Sequence, residues 1–180
     1  MITQREYQIA SEKARALLDR IGVVLTRAEH EHFEVADFGL GELEKTGLQL
    51  ITYVNTERVC AKELVLFPGQ TCPEHRHPSI GRALGKEETF RCRLGSVYLY
   101  VAGSPTVHPM CHPPQGSEPY YTVWHEIYLK PGEQYTIPPD TLHWFQADRE
   151  GAVVSEFSTR STDEADIFTD VRVKRLPEVA

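Results

Sequence analysis

The spacing of hydrophobic side chains divides the chain into a helical start and a longer β-rich part. In the first 21 residues, apolar positions recur every three or four residues, as on one face of an α-helix. Thr3 followed by Glu6 forms a capping-box pattern and Gly22 ends the periodic run, so a helix is predicted between them. Residues 23–47 are rich in turn-forming glycines, with a second short helix predicted around residues 27–33.

In the remainder of the chain, apolar and polar positions alternate, and Val, Ile, Leu and Tyr are frequent, as in β-strands. The predicted strands are Leu48–Val54, Ala61–Phe67, Glu88–Leu94, Ser96–Val101, His125–Leu129, Tyr135–Ile137 and Ala152–Phe157. Turn residues such as Gly95 separate them, and the five prolines between Gly103 and Pro119 predict a long hairpin loop. Many short strands with regular turns favour an antiparallel sandwich or barrel over alternating strands and helices.

The domain organisation follows from length and continuity. No internal repeat, low-complexity tract or linker divides the 180 residues, and this length suits one domain with a substantial core. We therefore predict a single domain over residues 1–180, mainly β in class. Residues 1–47 form its N-terminal helical and turn-rich extension, and residues 48–172 form the barrel.

Composition restricts the classes of partner and the cellular compartment that we expect for this protein. The formal net charge is −7 and acidic residues are spread along the chain, whereas a nucleic-acid-binding protein would show a clustered basic face. No run approaches the roughly 20 apolar residues that cross a bilayer, and the first residues show no secretory signal. The four cysteines include no Cys-x-x-Cys pair and are predicted to be reduced thiols. We expect a cytoplasmic protein without a nucleic-acid or membrane partner.

Four residues form a candidate metal site: His75, His77, Glu88 and His143. Histidine and carboxylate side chains bind divalent cations well, so their spacing is informative. On an extended strand alternate side chains project to the same face, which lets His75 and His77 point at one ion. Glu88 begins a predicted strand, and His143 follows a turn far downstream. Ligands on separate strands of a closed sheet can meet in its interior.

The spacing of these residues resembles the cupin signature. Its first motif is a glycine, five residues and then His-x-His, which the run Gly69–His77 satisfies. The motif continues with a glutamate, six residues and a glycine, which Glu88 and Gly95 satisfy. Glu87 fails this count by one and would face the other side of the strand. The gap between His77 and Glu88 is longer than the usual three or four residues.

The second cupin motif is also present. Gly132 is followed after five residues by Pro138 and, after a turn residue, by His143. Asp140 replaces the usual glycine of that turn, and it tolerates the same backbone conformation moderately well. Ala147 stands where the motif ends in asparagine. The resemblance implies a cupin double-stranded β-helix, a jelly-roll barrel, with an N-terminal helical extension.

Within the cupins, the chain resembles the D-lyxose isomerase family over residues from about 60 to 172, and the longer spacer before the glutamate is normal in that family. The blocks that carry the resemblance are Lys62–His77, Gly85–Phe90, Pro139–Phe145, Ser155–Ser158, Asp163–Glu164 and Phe168–Asp170. The resemblance implies interconversion of D-lyxose and D-xylulose, with D-mannose and D-fructose as a further pair. It also implies one divalent metal ion, Mn²⁺ above others, and a homodimer.

Two further residues are candidates for catalysis. Aldose–ketose isomerisation moves a proton between C1 and C2, which requires a base within hydrogen-bond reach. Glu156 is a carboxylate in an apolar predicted strand, where a charged group needs a partner or a function; it is the candidate base. Lys62 is the second candidate, to polarise a substrate oxygen or carry a proton. Each residue also has a non-catalytic interpretation. Glu156 would then cap a strand at the barrel mouth, and Lys62 would be a solvated lysine on an edge strand.

Other functions of the same fold stay open at this point, because cupins host many activities. A metal-dependent dioxygenase would use the open metal positions for oxygen and favour Fe(II). A non-catalytic sugar-binding module would bind without turnover.

Outside the site, the acidic residues Asp163, Glu164 and Asp166 are predicted to form a solvated loop or helix start, and His108, Cys111 and His112 are not expected to form a second metal site.

Overall fold

The computed structural model describes residues 2–176 and residue 179, and all strands named below belong to one curled antiparallel sheet. Its helices are α1 (Gln4–Arg20) and α2 (Arg27–Glu31), with short 3₁₀ turns at Glu118–Tyr120 and Asp163–Ala165. Its strands are β1 (Glu34–Ala36), β2 (Leu48–Asn55), β3 (Cys60–Leu66), β4 (Thr71–Arg76), β5 (Glu88–Val101), β6 (His125–Leu129), β7 (Gln134–Ile137), β8 (His143–Ser158) and β9 (Ile167–Phe168).

The sheet is organised around its two longest strands, β5 and β8, which pair with each other along their lengths. From β8 the order runs through β3 and β2 to β1 on one side and through β4 to β9 on the other. Strand β5 also pairs with β6 and β7. All pairs between these strands are antiparallel. The sheet curls so that the two halves of the β5–β8 pair enclose an apolar interior between them. This is the mainly β, cupin-type barrel that the motifs predicted.

The interior is apolar except at one end. Buried side chains from both halves of the curled sheet form the main cluster, including Leu50, Leu64, Cys92, Leu99 and Phe145. Burying such side chains is the main favourable contribution to folding, at roughly 25 cal/mol per Å² of apolar surface. The polar side chains of the candidate site lie at the end of this cluster.

The predicted N-terminal helix is confirmed, including its capping box. The Thr3 hydroxyl accepts a hydrogen bond from the Glu6 amide, and the Glu6 carboxylate accepts one from the Thr3 amide. Helix α1 places Ala14 and Leu18 in a second apolar cluster on the outer side of the sheet, with β-strand residues such as Val153. The short helix predicted around residues 27–33 is present as α2.

Sequence and structure differ in how the strands are divided. The prediction of a turn at Gly95 is wrong: β5 runs through this residue from Glu88 to Val101, with bulges on both sides. Strand β8 begins at His143, nine residues before the predicted strand Ala152–Phe157, and kinks between these two parts. Three strands are absent from the predicted set: β4, where a proline and a bulge interrupt the alternation, and the very short β1 and β9, where two or three residues carry no detectable period.

The proline-rich stretch is the predicted long connection, here joining β5 to β6. It packs against an aromatic cluster in which the rings of Tyr100 and Trp144 stack at a centroid distance of 4.0 Å. Cys111 and Tyr121 of this loop are buried in the same cluster. All four cysteines are free and buried, as predicted. Neither α1 nor α2 has the length and hydropathy of a membrane-crossing helix.

We expect Gly95→Ala to destabilise the fold by about 2–4 kcal/mol, from the cost of a left-handed backbone in a non-glycine residue plus overpacking. Gly95 has φ of +65°, and a Cβ there would lie 1.9 Å from the carbonyl oxygen of Gly151 on the partner strand. Thermal unfolding measures the effect. Gly116→Ala is the control, since Gly116 also has positive φ but open space around it. Equal loss of stability in both variants would contradict the argument.

Candidate metal centre and its charged surroundings

A β-bulge in β4 orients the first histidine. Two residues of β4, Pro73 and Glu74, lie opposite the single residue Trp144 of β8. A bulge of this kind interrupts the alternation of side chains along the strand. As a result Cys72 and His75, three positions apart, both line the same interior cavity. Regular alternation then places His77 on the same face as His75, as predicted, and the bulge, which the sequence pattern did not show, turns this face toward the interior.

His75 and His143 lie opposite each other in the register of β4 and β8, and both are buried. The Nδ1 atom of His75 donates to the Pro73 carbonyl at 2.8 Å, and that of His143 donates to the Thr141 carbonyl at 2.9 Å. A carbonyl only accepts, so Nδ1 carries the hydrogen in both rings and Nε2 carries a lone pair. This tautomer, assigned from the hydrogen bonds, is the one that binds metals through Nε2.

The turn before His143 has the predicted conformation. Asp140 has φ of +58°, the left-handed region that a glycine would normally occupy. Its amide donates to the carbonyl oxygen of His77 at 3.2 Å, and its carboxylate pairs with Arg76. The turn is thereby attached to the end of β4, where the other two histidines lie.

His77 and Glu88 complete the group. The side-chain nitrogens of His75, His77 and His143 include one from each ring that lie within 4.8 Å of one another. The Oε1 atom of Glu88 lies 3.1 Å from Nε2 of His77 and 3.0 Å from Nε2 of His143. Glu88 is 1% exposed, whereas Glu87 is exposed, as the motif count predicted. The four side chains predicted as metal ligands thus converge on one point.

The longer spacer between His77 and Glu88 folds back against the first of them. A Cβ on Gly85 would lie 2.0 Å from the carbonyl oxygen of His77, so only glycine permits this close approach. The next residue, Lys86, is buried and directed into the interior. The spacer therefore adds a cation to the site.

Lys86 connects the metal-centre carboxylate to the candidate base. Its Nζ atom lies 2.8 Å from Oε2 of Glu88 and 3.0 Å from Oε1 of Glu156. Burial alone would lower the pKa of Lys86, but the charges of Glu156 and Glu88 outweigh it and raise this pKa well above its ordinary value. Lys86 is therefore an ammonium that holds both carboxylates in place.

Glu156 and Lys62 lie opposite each other on β8 and β3, and both are buried and line the cavity. The hydrogen bonds of Glu156 with Lys86 and with Ser158 are made through Oε1. Lys62 is 3% exposed and its Nζ atom lies 2.6 Å from the carboxylate of Asp163. The alternative of a solvated lysine at this position is wrong, because the strand register turns Lys62 inward.

The acidic run is also not the solvated segment predicted from the sequence. Asp163 contacts Lys62 and Arg175, and these cations together with Lys86 outweigh the effect of burial and hold the pKa of its carboxyl well below the usual range. Asp166 accepts a hydrogen bond from Nδ1 of His77. Only Glu164 of this run lies outside the cavity lining. The sequence pattern missed this because the partners of the run are far away along the chain.

The residues around the cavity carry an unbalanced charge. The cations are Lys62, Lys86 and Arg175, and the carboxylates in contact with them or with His77 are Glu34, Glu88, Glu156, Asp163 and Asp166. Three cations against five carboxylates leave two negative charges, and buried charge without compensation is costly. A divalent cation between the histidine nitrogens would balance them.

Two observations on single atoms agree with a cation at this point. Nε2 of His143 is fully buried and lies 3.0 Å from Oε1 of Glu88 without the geometry of a hydrogen bond. With Nδ1 protonated, these are two acceptors in contact, as expected where a metal would lie between them. The pKa of His77 is raised to about 9: burial opposes the charge, but Glu88 and the hydrogen bond to Asp166 favour the protonated ring. The same negative surroundings favour a metal ion in place of that proton. The residues present fit a divalent metal.

The cavity has a polar and an apolar side. The charged residues form one side, and Phe38, Leu50, Phe90, Phe145 and Phe168 are among the apolar residues of the other. Phe168 stacks on the His75 ring at a centroid distance of 5.2 Å. The cavity therefore offers charged groups to the oxygens of a small polyhydroxy ligand and apolar side chains to its carbon atoms.

All six residues singled out from the sequence line this cavity or converge at its end: Lys62, His75, His77, Glu88, His143 and Glu156. Sequence reasoning gave no role to Lys86, Asp166, Phe168 and Arg175. Lys86 lies two positions before Glu88, so continuing the alternation of β5 backwards would have placed it on the same inward face. This is the one signal in the sequence for any of these four residues. Among the described residues, no other group of three ligating side chains converges, and His112 in the proline-rich loop is exposed.

Comparison with known proteins identifies the family. Residues 108–180 match the family profile described as D-lyxose isomerase. The chain is 64% identical over 179 residues to the D-lyxose/D-mannose isomerase of Thermosediminibacter oceani, with 99% of both chains covered. It is 59% identical to the D-lyxose ketol-isomerase of Cohnella laeviribosi, with 97% of this chain and 96% of that protein covered. These relatives extend through the N-terminal third, where the sequence analysis found no resemblance.

Solved structures agree on the fold. The L-ribose isomerase of Acinetobacter sp. DL28 in complex with L-ribose superposes with a TM-score of 0.85, at 18% identity, covering 99% of this chain and 98% of that one. The L-ribose isomerase of Cellulomonas parahominis with L-psicose gives a TM-score of 0.84, at 18% identity and the same coverage. Identity this low supports the fold alone, whereas the sequence relatives carry the family assignment. The chain belongs to the D-lyxose isomerase family.

Proposed function

We propose that this protein is a metal-dependent ketol-isomerase that interconverts D-lyxose and D-xylulose, with D-mannose and D-fructose as a further pair. The observation that carries the proposal is the convergence of His75, His77, His143 and Glu88 beside a second buried carboxylate, Glu156. The curated relatives at 59–64% identity bear the names of this activity.

The metal ligands in this proposal are His75, His77, His143 and Glu88, and the ion is Mn²⁺. Three neutral imidazoles and one carboxylate leave a divalent ion with net positive charge and open positions. When bound there, the metal supplies Lewis-acid stabilisation of the charge that develops on O1 and O2 of the sugar. The protein fixes the ring orientations through the carbonyls of Pro73 and Thr141.

Glu156 acts as the base. Converting the aldose to the ketose moves one hydrogen from C2 to C1 and one from O2 to O1. A carboxylate held beside the metal centre can take the proton from C2 and return it to C1. Lys86 and Ser158 hold Oε1 of Glu156, and Oε2 makes no hydrogen bond with a described residue, so Oε2 is the oxygen that faces the substrate.

Lys62 provides a positive charge beside the same substrate carbons. Although burial opposes its charge, the pKa of Lys62 is raised, chiefly because Glu156 lies close to it. Lys62 therefore donates to a substrate oxygen rather than removing a proton. Its contacts with Ser161 and Asp163 fix its direction. A cytoplasmic location, expected from the cysteines and the first residues, and a homodimer, expected from the resemblance to the family, complete the proposal.

Removing the metal is expected to lower conversion of D-lyxose at least about a hundredfold, because Lewis-acid stabilisation is worth several kcal/mol. The measurement is aldose-to-ketose conversion over a panel of pentoses and hexoses, with chelator-stripped protein before and after addition of Mn²⁺. Restoration by Mn²⁺ for D-lyxose or D-mannose supports the proposal. Metal binding without any conversion contradicts it, and oxygen consumption in place of isomerisation would indicate a dioxygenase.

Glu156→Gln is expected to lower kcat about 10²- to 10⁴-fold, the usual contribution of a general base. The variant is assayed with saturating Mn²⁺ and its metal content is measured, because Glu156 is not among the four candidate ligands but contributes a negative charge to the same cluster. Glu87→Gln is the matched control: it removes a carboxylate of the same region whose residue is exposed. Near-normal turnover of the metal-loaded Glu156→Gln protein would exclude Glu156 as the base.

Lys62→Met is expected to lower kcat for a different reason, since it removes a charge without removing the base. The loss should be smaller than that of Glu156→Gln, about tenfold to a hundredfold, as for one charge-assisted hydrogen bond to the substrate. Circular dichroism and metal content check that the fold and the ion are retained. Unchanged kcat with bound metal would leave Lys62 without a catalytic function.

A further inference from the structure

One buried carboxylate outside the cavity is connected directly to the metal centre. Glu74 is 1% exposed and lies in the β4 bulge, next to His75. Its carboxylate accepts hydrogen bonds from the amides of Thr122 and Val123, the latter at 3.0 Å, and from the Thr122 hydroxyl at 2.8 Å. It also accepts one from the Thr169 hydroxyl at 2.6 Å. Four neutral donors thus converge on two oxygens.

These donors come from two segments that are distant from β4 in sequence. Thr122 and Val123 end the proline-rich loop. Thr169 belongs to residues 163–170, which we name the covering segment. The Thr169 amide also donates to the backbone carbonyl of Glu74 at 3.0 Å. Glu74 therefore attaches both the loop and the covering segment to the strand that carries the first two histidines.

The covering segment contacts three groups of the site: His77, His75 and Lys62. Asp166 accepts the hydrogen bond from His77, and Phe168 stacks on the ring of His75. Asp163 pairs with Lys62. By contrast, the segment pairs with the sheet only through two residues, Ile167 and Phe168. Two paired residues are too few to fix a segment in place, so its position depends on side-chain contacts.

The chemistry of Glu74 is specific to this task. A carboxylate accepts through both oxygens and donates through neither, which matches four inward-pointing donors. Glutamine in its place would turn an NH₂ group toward N–H and O–H donors and leave at least one buried donor without a partner. The position is thus occupied by the one side-chain type of this length that satisfies all four donors.

We propose that Glu74 is a positioning residue that sets the affinity of the site for its metal by holding the covering segment against β4. It acts through Asp166 and Phe168, which fix the directions of the two histidine rings. The effect on the metal rests on the proposed function. The effect on the covering segment does not, because it concerns contacts between described residues alone.

The test is Glu74→Gln, examined by hydrogen exchange and by metal binding. Amide exchange in residues 166–170 and 121–123 should become faster in the chelator-stripped protein. The affinity for Mn²⁺, measured by competition with a chromophoric chelator, should fall about 10- to 100-fold, as for loss of partners that orient metal-binding histidines. Glu118→Gln is the matched control, since Glu118 is exposed, belongs to the same loop and bonds only within it.

The outcomes separate positioning from general stabilisation. Faster exchange confined to the two segments together with weaker Mn²⁺ binding supports the proposal. Unchanged exchange in both segments, or a folded variant that binds Mn²⁺ with wild-type affinity, overturns it. If the wild-type protein itself binds no Mn²⁺, the proposed metal site fails, whereas the exchange measurement still decides whether Glu74 holds the covering segment.

Thr169→Val decides the matter if Glu74→Gln does not fold. This variant removes the hydroxyl donor to Glu74 but keeps the shape of the side chain and the backbone hydrogen bond. Exchange in residues 166–170 should increase and Mn²⁺ affinity should fall several-fold, less than in Glu74→Gln. A Thr169→Val protein identical to the wild type in both measurements overturns the proposal.

Discussion

The structure depends above all on the balance of charge at the closed end of the barrel. Five carboxylates and three cations are brought together in an interior that is otherwise apolar. Such an arrangement is tolerable only when every charge has an opposite partner nearby. Here Lys86 lies between Glu88 and Glu156, and Lys62 pairs with Asp163. The two negative charges that remain fall where three imidazole nitrogens also converge. The compensation that a divalent cation would supply therefore concerns the whole charged cluster and not the four candidate ligands alone.

This dependence explains why irregular backbone occurs where it does. The bulge at Pro73 and Glu74 turns His75 inward, and the left-handed Asp140 shapes the turn that leads to His143. Gly85 permits the spacer to approach His77, which brings Lys86 into the interior. Regular strands alone would not bring these groups to one point. The irregularities interrupt regular pairing, and the contacts around the charged cluster compensate for them.

The fold class, the convergence of the four candidate ligands and the inward position of Glu156 could be predicted from the sequence, because alternation and motif spacing are local. Alternation marks strands, His-x-His marks one face, and Glu156 stands out as a charge in an apolar run. The continuity of β5 through Gly95 was missed, since a glycine with positive φ reads as a turn whether or not pairing continues beyond it. Asp163 and Asp166 were taken for solvated residues, because nothing nearby in sequence reveals that Lys62 and His77 face them. Contacts between residues roughly a hundred positions apart leave no periodic trace.

The position of the covering segment in the chain has a consequence for biosynthesis. Chains emerge from the ribosome N-terminal end first, at about 5–20 residues per second. All barrel strands from β1 to β8, with all four ligands, precede the covering segment and Arg175 in sequence. Only a few residues separate the end of β8 from the covering segment, so the two leave the ribosome close together and after every earlier strand. The side chains that orient His75 and His77 therefore join the barrel in the same late step as its last long strand.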